Sequence, residues 1–146
     1  MSKLYDIRKA LADSIAEAGI VPADAIVIKR QTDMWNDVAF AVNASQDSIC
    51  LHIGIASGEV TEDADLEMEV TVPLALLVPP ALMEGATPEE DVWEALVKHV
   101  HGLKLKTDDH YNYRFRFKSF VDQDAEADDG TPYLGRLTNF AYKLSL

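Results

Sequence analysis

Tyr111-Asn-Tyr-Arg-Phe-Arg-Phe117 alternates aromatic and polar residues without exception, and Lys118 extends the polar series. A β-strand sends successive side chains to opposite faces. Tyr111, Tyr113, Phe115 and Phe117 therefore share one face, and Asn112, Arg114, Arg116 and Lys118 share the other. Three of the chain's 13 Lys and Arg residues fall on one strand face of a protein with formal charge -12. The pattern first suggests a nucleic-acid platform. A single-strand-binding sheet, however, needs its aromatics and cations exposed together on the same face. Here the pleat separates them. The aromatic face reads as core. Arg114, Arg116 and Lys118 read as charge partners for Glu67 and Glu69 on a neighbouring strand, or for an acidic patch on another subunit. Each cross-strand pair of that kind contributes roughly 0.2–1 kcal/mol.

Outward from this stretch, the same period recurs. Ala25–Arg30 is a short β-branched run. Asp37–Asn43 and Ser48–Ile55 both alternate, and the turn-like Asn43-Ala-Ser-Gln-Asp47 between them predicts a hairpin. Ser57–Asp65 reads as a polar connection. Leu66–Val72 alternates again with Glu67 and Glu69 pointing outward, and Leu134–Leu146 reads as the last strand. Two segments carry the helical period instead. Leu4, Ile7, Leu11 and Ile15 make one stripe over Lys3–Ala18, with Ser2 to cap its start and Gly19 to end it. Thr87-Pro-Glu-Glu90 has the form of a capping box, followed by the apolar positions Val92, Trp93, Leu96, Val97 and Val100, with Gly102 as the stop. The order helix, four strands, helix, two strands lacks repeated βαβ units. It predicts one α+β domain over residues 1–146: a mostly antiparallel sheet of about five to six strands, with two helices packed on one face.

Composition narrows the function classes. Hydrophobic residues make up 48% and charged residues 26%, as in ordinary globular domains. The single Cys50 offers no intrachain disulfide. The N-terminus has no apolar leader, and the longest apolar run, Val72–Met83, is broken by prolines and too short to span a bilayer. These features imply a soluble, cytoplasmic product with no membrane partner. Twenty-five acidic against 13 basic residues oppose non-specific attraction to phosphate.

The candidate chemical sites are few. His99 and His101 lie two apart on a helix and diverge. Cys50 and His52 share a strand face, but zinc needs at least two further ligands, and a Cys–His nucleophile pair needs an orienting third group. Asp122-Gln-Asp-Ala-Glu-Ala-Asp-Asp-Gly130 reads as a flexible acidic hairpin loop. Asp124, Glu126 and Asp128 have the spacing of the first three ligands of an EF-hand. Asp129 stands where its glycine belongs, and Gly135 stands where its bidentate glutamate belongs. Phosphate-binding, dinucleotide, zinc-protease and serine-hydrolase motifs do not occur. The residues therefore predict no enzyme, no metal and no cofactor.

The helix Tyr5-Asp-Ile-Arg-Lys-Ala-Leu-Ala-Asp-Ser-Ile-Ala-Glu-Ala18, the segment Val70-Thr-Val-Pro-Leu74, the second helix, and the closing strands ending Phe140-Ala-Tyr-Lys-Leu144 occur in a recognisable order. In element order, size and acidity, nearly the whole chain resembles the tail terminator and tail completion (neck) proteins of long-tailed bacteriophages. The resemblance implies a structural virion protein, assembled in the host cytoplasm. Such proteins form a homo-oligomeric ring, typically a hexamer, that caps the tail tube and joins it to the head. Tail-tube and head–tail connector proteins would be the partners, and DNA would only pass through the lumen. On that reading Asp122, Asp124, Glu126, Asp128 and Asp129 are candidates for a loop facing the lumen or the tube. Arg114, Arg116, Lys118, Glu67 and Glu69 are candidates for charge pairing within or between subunits. The alternative reading is a small non-enzymatic adaptor or chaperone-like module on the same fold.

Overall fold

A computed structural model describes residues 3–28, 49–62, 66–78, 88–106, 112–126 and 132–145. In chain order these form α1 (Lys3–Glu17), a 3-10 turn (Ala23–Ala25), β1 (Ile26–Ile28), β2 (Cys50–Ile53), β3 (Ser57–Glu62), β4 (Glu67–Val78), α2 (Pro88–Val100), β5 (Lys104–Lys106), β6 (Asn112–Arg114), β7 (Arg116–Glu126) and β8 (Pro132–Ser145). The fold is α+β. A six-stranded, mostly antiparallel sheet has the order β1-β2-β4-β8-β7, with β3 also paired to β4, and β5 and β6 form a small second sheet.

The longest ladder joins β4 to β8 from Glu67↔Ser145 to Val78↔Leu134. Because opposite residues share a face, this register sorts both strands. Val70, Val72, Leu74, Leu76, Phe140, Tyr142 and Leu144 lie on one side, all buried. That side receives the helices. Ile7, Leu11 and Ile15 form the fully buried stripe of α1, and Leu96 and Val100 that of α2. Ser14 Oγ and His99 Nε2, 2.9 Å apart, tie the two helices together. The Trp93 indole N–H donates to the buried Thr138 hydroxyl at 3.0 Å, which anchors α2 on β8.

A proline in the middle of β4 is the one residue there that a sheet should reject, since it has no N–H to donate. The Gly54 N–H donates to the Pro73 carbonyl at 2.8 Å. In an antiparallel ladder the reciprocal bond would run from residue 73 back to the Gly54 carbonyl, and proline cannot make it. The Arg8 Nη1 of α1 donates to that carbonyl instead, at 3.0 Å and buried. The pairing of β2 with β4 stops beside Pro73, and the chain resumes as β3 one residue out of step: Ile53 faces Leu74, whereas Ser57 faces Thr71.

Several expectations change. Ser57–Asp65 is not a mere connection, because Ser57–Glu62 forms β3, hairpinned to β4. Its single apolar residue and open position hid the strand. Ala25 belongs to the 3-10 turn and not to the first strand. The expected strand Asp37–Asn43 lies outside the described residues. Its expected hairpin partner, Ser48–Ile55, is a strand only over Cys50–Ile53 among the described residues, with β1 on one side and β4 on the other. The Tyr111–Lys118 strand is divided at Phe115, whose N–H donates to the Leu103 carbonyl while its carbonyl accepts from Gly102. Gly102 makes this return with φ 83°, a left-handed conformation in which glycine carries no Cβ penalty. The acidic segment is not wholly a loop either. β7 continues through Asp122-Gln-Asp-Ala-Glu126, paired with β8, because the partner strand satisfies its backbone whatever the side-chain charge. Residues 127–130 lie outside the described residues.

The Arg8–Gly54 bond predicts that Arg8→Met costs about 1–3 kcal/mol, the usual penalty for a buried carbonyl left unsatisfied. In a Pro73→Ala background, where residue 73 regains an N–H, the same change is expected to cost measurably less. A double-mutant cycle by urea denaturation checks the coupling.

Candidate functional site

The sheet face opposite the helices holds the charged residues singled out in the sequence. The β4–β8 pleat puts Glu67, Glu69 and Thr71 on this face, together with Ala141 and Lys143 of β8. Arg116, opposite Ala141, adds the first cation of β7. Lys118 is the extra residue of a β-bulge between Phe117 and Ser119, and its ammonium also turns to this face. Arg116 Nη2 lies 3.1 Å from Glu69 Oε2, and Lys118 Nζ lies 3.4 Å from Glu69 Oε1. Lys143 Nζ is 3.7 Å from Glu67 Oε1.

The strands that carry these pairs are not neighbours, because β8 runs between β4 and β7. Arg116 reaches Glu69 across the small side chain of Ala141, and a larger residue there would block it. Arg114 does not join the cluster. It stands in the second sheet directly opposite Lys104, and among the described residues it has no carboxylate partner.

The face is acidic at one margin. Glu59 of β3 sits directly opposite Glu69, a like-charge pair that a sheet ordinarily penalises. Ser57, Gly58, Glu59, Glu69 and Thr71 line an open depression of about 210 Å³ there. Across the sheet the row runs from the carboxylates Glu59 and Glu69 to the cations Lys143, Arg116 and Lys118. Further along the same face Cys50 and His52, opposite Leu77 and Ala75, are all buried.

Asp122, expected in a loop, is a strand residue facing the helix side. It makes a bidentate pair with Arg136, directly opposite on β8, with Arg136 Nε donating to Oδ1 at 2.6 Å and Nη2 donating to Oδ2 at 3.1 Å. The same guanidinium lies 5.0 Å from the Trp93 ring centroid and 5.4 Å from that of Phe120, with Trp93 and Phe120 themselves 4.8 Å apart. The Arg136 hydrogen bonds hold the Asp122 carboxyl below its ordinary pKa, although partial burial works against them. The backbones of Asp124 and Glu126 pair with Leu134 and Pro132. Asp128 and Asp129 lie outside the described residues. His99 bonds Ser14, and His101 accepts the Phe117 N–H at Nδ1.

Lys143, Glu59 and Arg136 were missed in the sequence. Lys143 had a signal, because it occupies the polar phase of the last strand and joins Glu67 and Glu69 once β8 lies antiparallel to β4. No helix among the described residues is long and apolar enough to cross a membrane. Comparison with protein-family models and with curated proteins finds no match.

Two expectations follow from these pairs. Glu69→Gln leaves two exposed cations without their carboxylate, and is expected to cost no more than about 1 kcal/mol. That cost should shrink when the melt is repeated in high salt. For Asp122 the folded-state pKa is lowered, so its contribution is present at neutral pH and disappears as pH falls through the acid range below about 4. Asp122→Asn is expected to flatten that acid limb of the stability–pH profile and to leave its slope near neutrality unchanged.

Proposed function

We propose that this chain is a structural ring subunit of a phage virion, which terminates the tail tube and joins tail to head. The observation that supports the reading is the division of the sheet into two unlike faces. Helices cover one side. Much of the other is a polar surface of fixed opposite charges. In a ring of such subunits, a polar sheet face suits an aqueous passage or a contact between neighbours.

The charge arrangement fits transit of DNA better than its retention. Arg116 and Lys118 are both held on Glu69, and Lys143 on Glu67. Among the described residues the three cations of this face are thus held on two carboxylates, and a third, Glu59, stands opposite Glu69, in a chain of formal charge -12. Phosphate binding draws on Lys and Arg free to displace counterions, and this face offers few.

Native mass spectrometry and negative-stain imaging provide the test. The expected result is a closed homo-oligomer, alone or with tail-tube protein, that shows no measurable affinity for duplex DNA at physiological salt. A strictly monomeric protein under both conditions would overturn the reading.

A further inference from the structure

The large hydrophobic side chains that remain exposed among the described residues are confined to the margins of one sheet. Phe120 and Val121, 48% and 46% exposed, lie on β7. Val60, 50% exposed, lies on β3, with Ile55 and Leu66 just outside its two ends. Among the described residues β3 and β7 each have one strand partner, β4 and β8 respectively; the sheet ends at β7 on one side and at β1 on the other, and β3 lies on the β1–β2 side, beyond the end of β2. An outer strand of this kind presents a row of backbone donors and acceptors to any compatible strand. The open edge of β7 begins at Lys118, because the Phe117 N–H is already taken by His101.

We propose that the partner is a second copy of this chain, with β3 of one copy adding antiparallel to β7 of the next. Strand direction supports this pairing. β3 is antiparallel to β4, β4 to β8, and β8 to β7, so β3 and β7 run in opposite directions. Copies set side by side in the same orientation therefore bring the two edges together antiparallel, the better-bonded arrangement. One register satisfies both pleats. With Val60 opposite Phe120 on the helix side, Glu59 meets Val121 on the other face, Gly58 meets Asp122, and Ser57 meets Gln123. Val60 and Phe120 then cover each other.

A two-fold pairing of β7 with itself competes for the same edge, but it leaves β3 and its exposed Val60 uncovered. The head-to-tail contact uses two different surfaces, so it repeats and generates a ring when the rotation closes. It deepens the ring reading above and rests on it only for the closure of the assembly.

Cross-linking distinguishes the geometries. The single variants Ser57→Cys and Gln123→Cys, mixed and treated with a short thiol cross-linker, are expected to give the mixed dimer. A chain carrying both substitutions is expected to give a ladder of multimers. Cys50 is buried, and untreated-sequence protein serves as its control. Val60→Asp and Phe120→Asp, both at exposed sites, are each expected to weaken self-association about tenfold or more, a loss of at least about 1.4 kcal/mol, while the monomer's circular dichroism is retained. Gln123→Cys that cross-links to itself as readily as to Ser57→Cys overturns the proposal, and so do aspartate variants that fold and assemble normally. Rings without the Ser57–Gln123 cross-link overturn the edge pairing and leave the ring reading standing. A monomer that stays single alone and beside tube protein overturns both.

Discussion

The twelve-residue ladder between β4 and β8 is the constraint on which the remaining structure depends. Side chains in a strand alternate with a period of two, so a slip of one residue would exchange the faces of the strand that slips. A slipped β4 would turn Val70, Val72 and Leu74 away from the helices and Glu67 and Glu69 toward them; a slipped β8 would do the same with Phe140, Tyr142 and Lys143. Burying such charges without partners costs several kcal/mol each, so the register is held from both sides. The apolar residues demand the helix face, and the charged ones refuse it. Every placement of a charged side chain on the open face follows from that choice.

Pro73 shows how a local fault in this ladder is absorbed. Its missing N–H removes one bond to Gly54, and three features answer it: pairing with β2 stops, the chain shifts by one residue, and Arg8 supplies a donor from α1. The shift has a consequence for the surface. Strand β3 resumes in a register that places Glu59 opposite Glu69. The acidic margin of the open face thus traces back to a proline near the middle of β4, and the helix that repairs the ladder is fastened to the sheet by the same bond.

The sequence revealed the parts of the fold that repeat. The α1 stripe, the α2 apolar face and the alternations of β4 and β8 each carry several apolar residues at one period, so the pattern survives exposure at individual positions. Strands β3 and β5 carry only Val60 and Leu105 among residues outside the polar set, which is too few to establish a period. The division at Phe115 has no local signal, because it arises from peptide groups of Gly102 and Leu103 at a distance along the chain. Asp122 was misassigned for a related reason. Acidic and small residues resemble a loop by composition, whereas pairing with Arg136 requires the hairpin partner to be known. At the site, the alternation of Arg116 and Lys118 with aromatics was legible. The bulge that brings Lys118 to Glu69, and the intervening β8, were not.

Exposed apolar residues on outer strands are normally a hazard, since any extended chain can add to them. Here the hazard is selective. Lys118 interrupts the pleat of β7 at a bulge, and its charge discourages partners that bring a cation. Asp122 beyond Phe120 and Val121 discourages partners that bring another carboxylate on the helix side. Only a strand with an apolar residue for Phe120 and a small one for Asp122 meets both steric conditions. Strand β3 has that sequence in Gly58-Glu-Val60. The features that restrict β7 against indiscriminate pairing are therefore the same ones that admit its own chain.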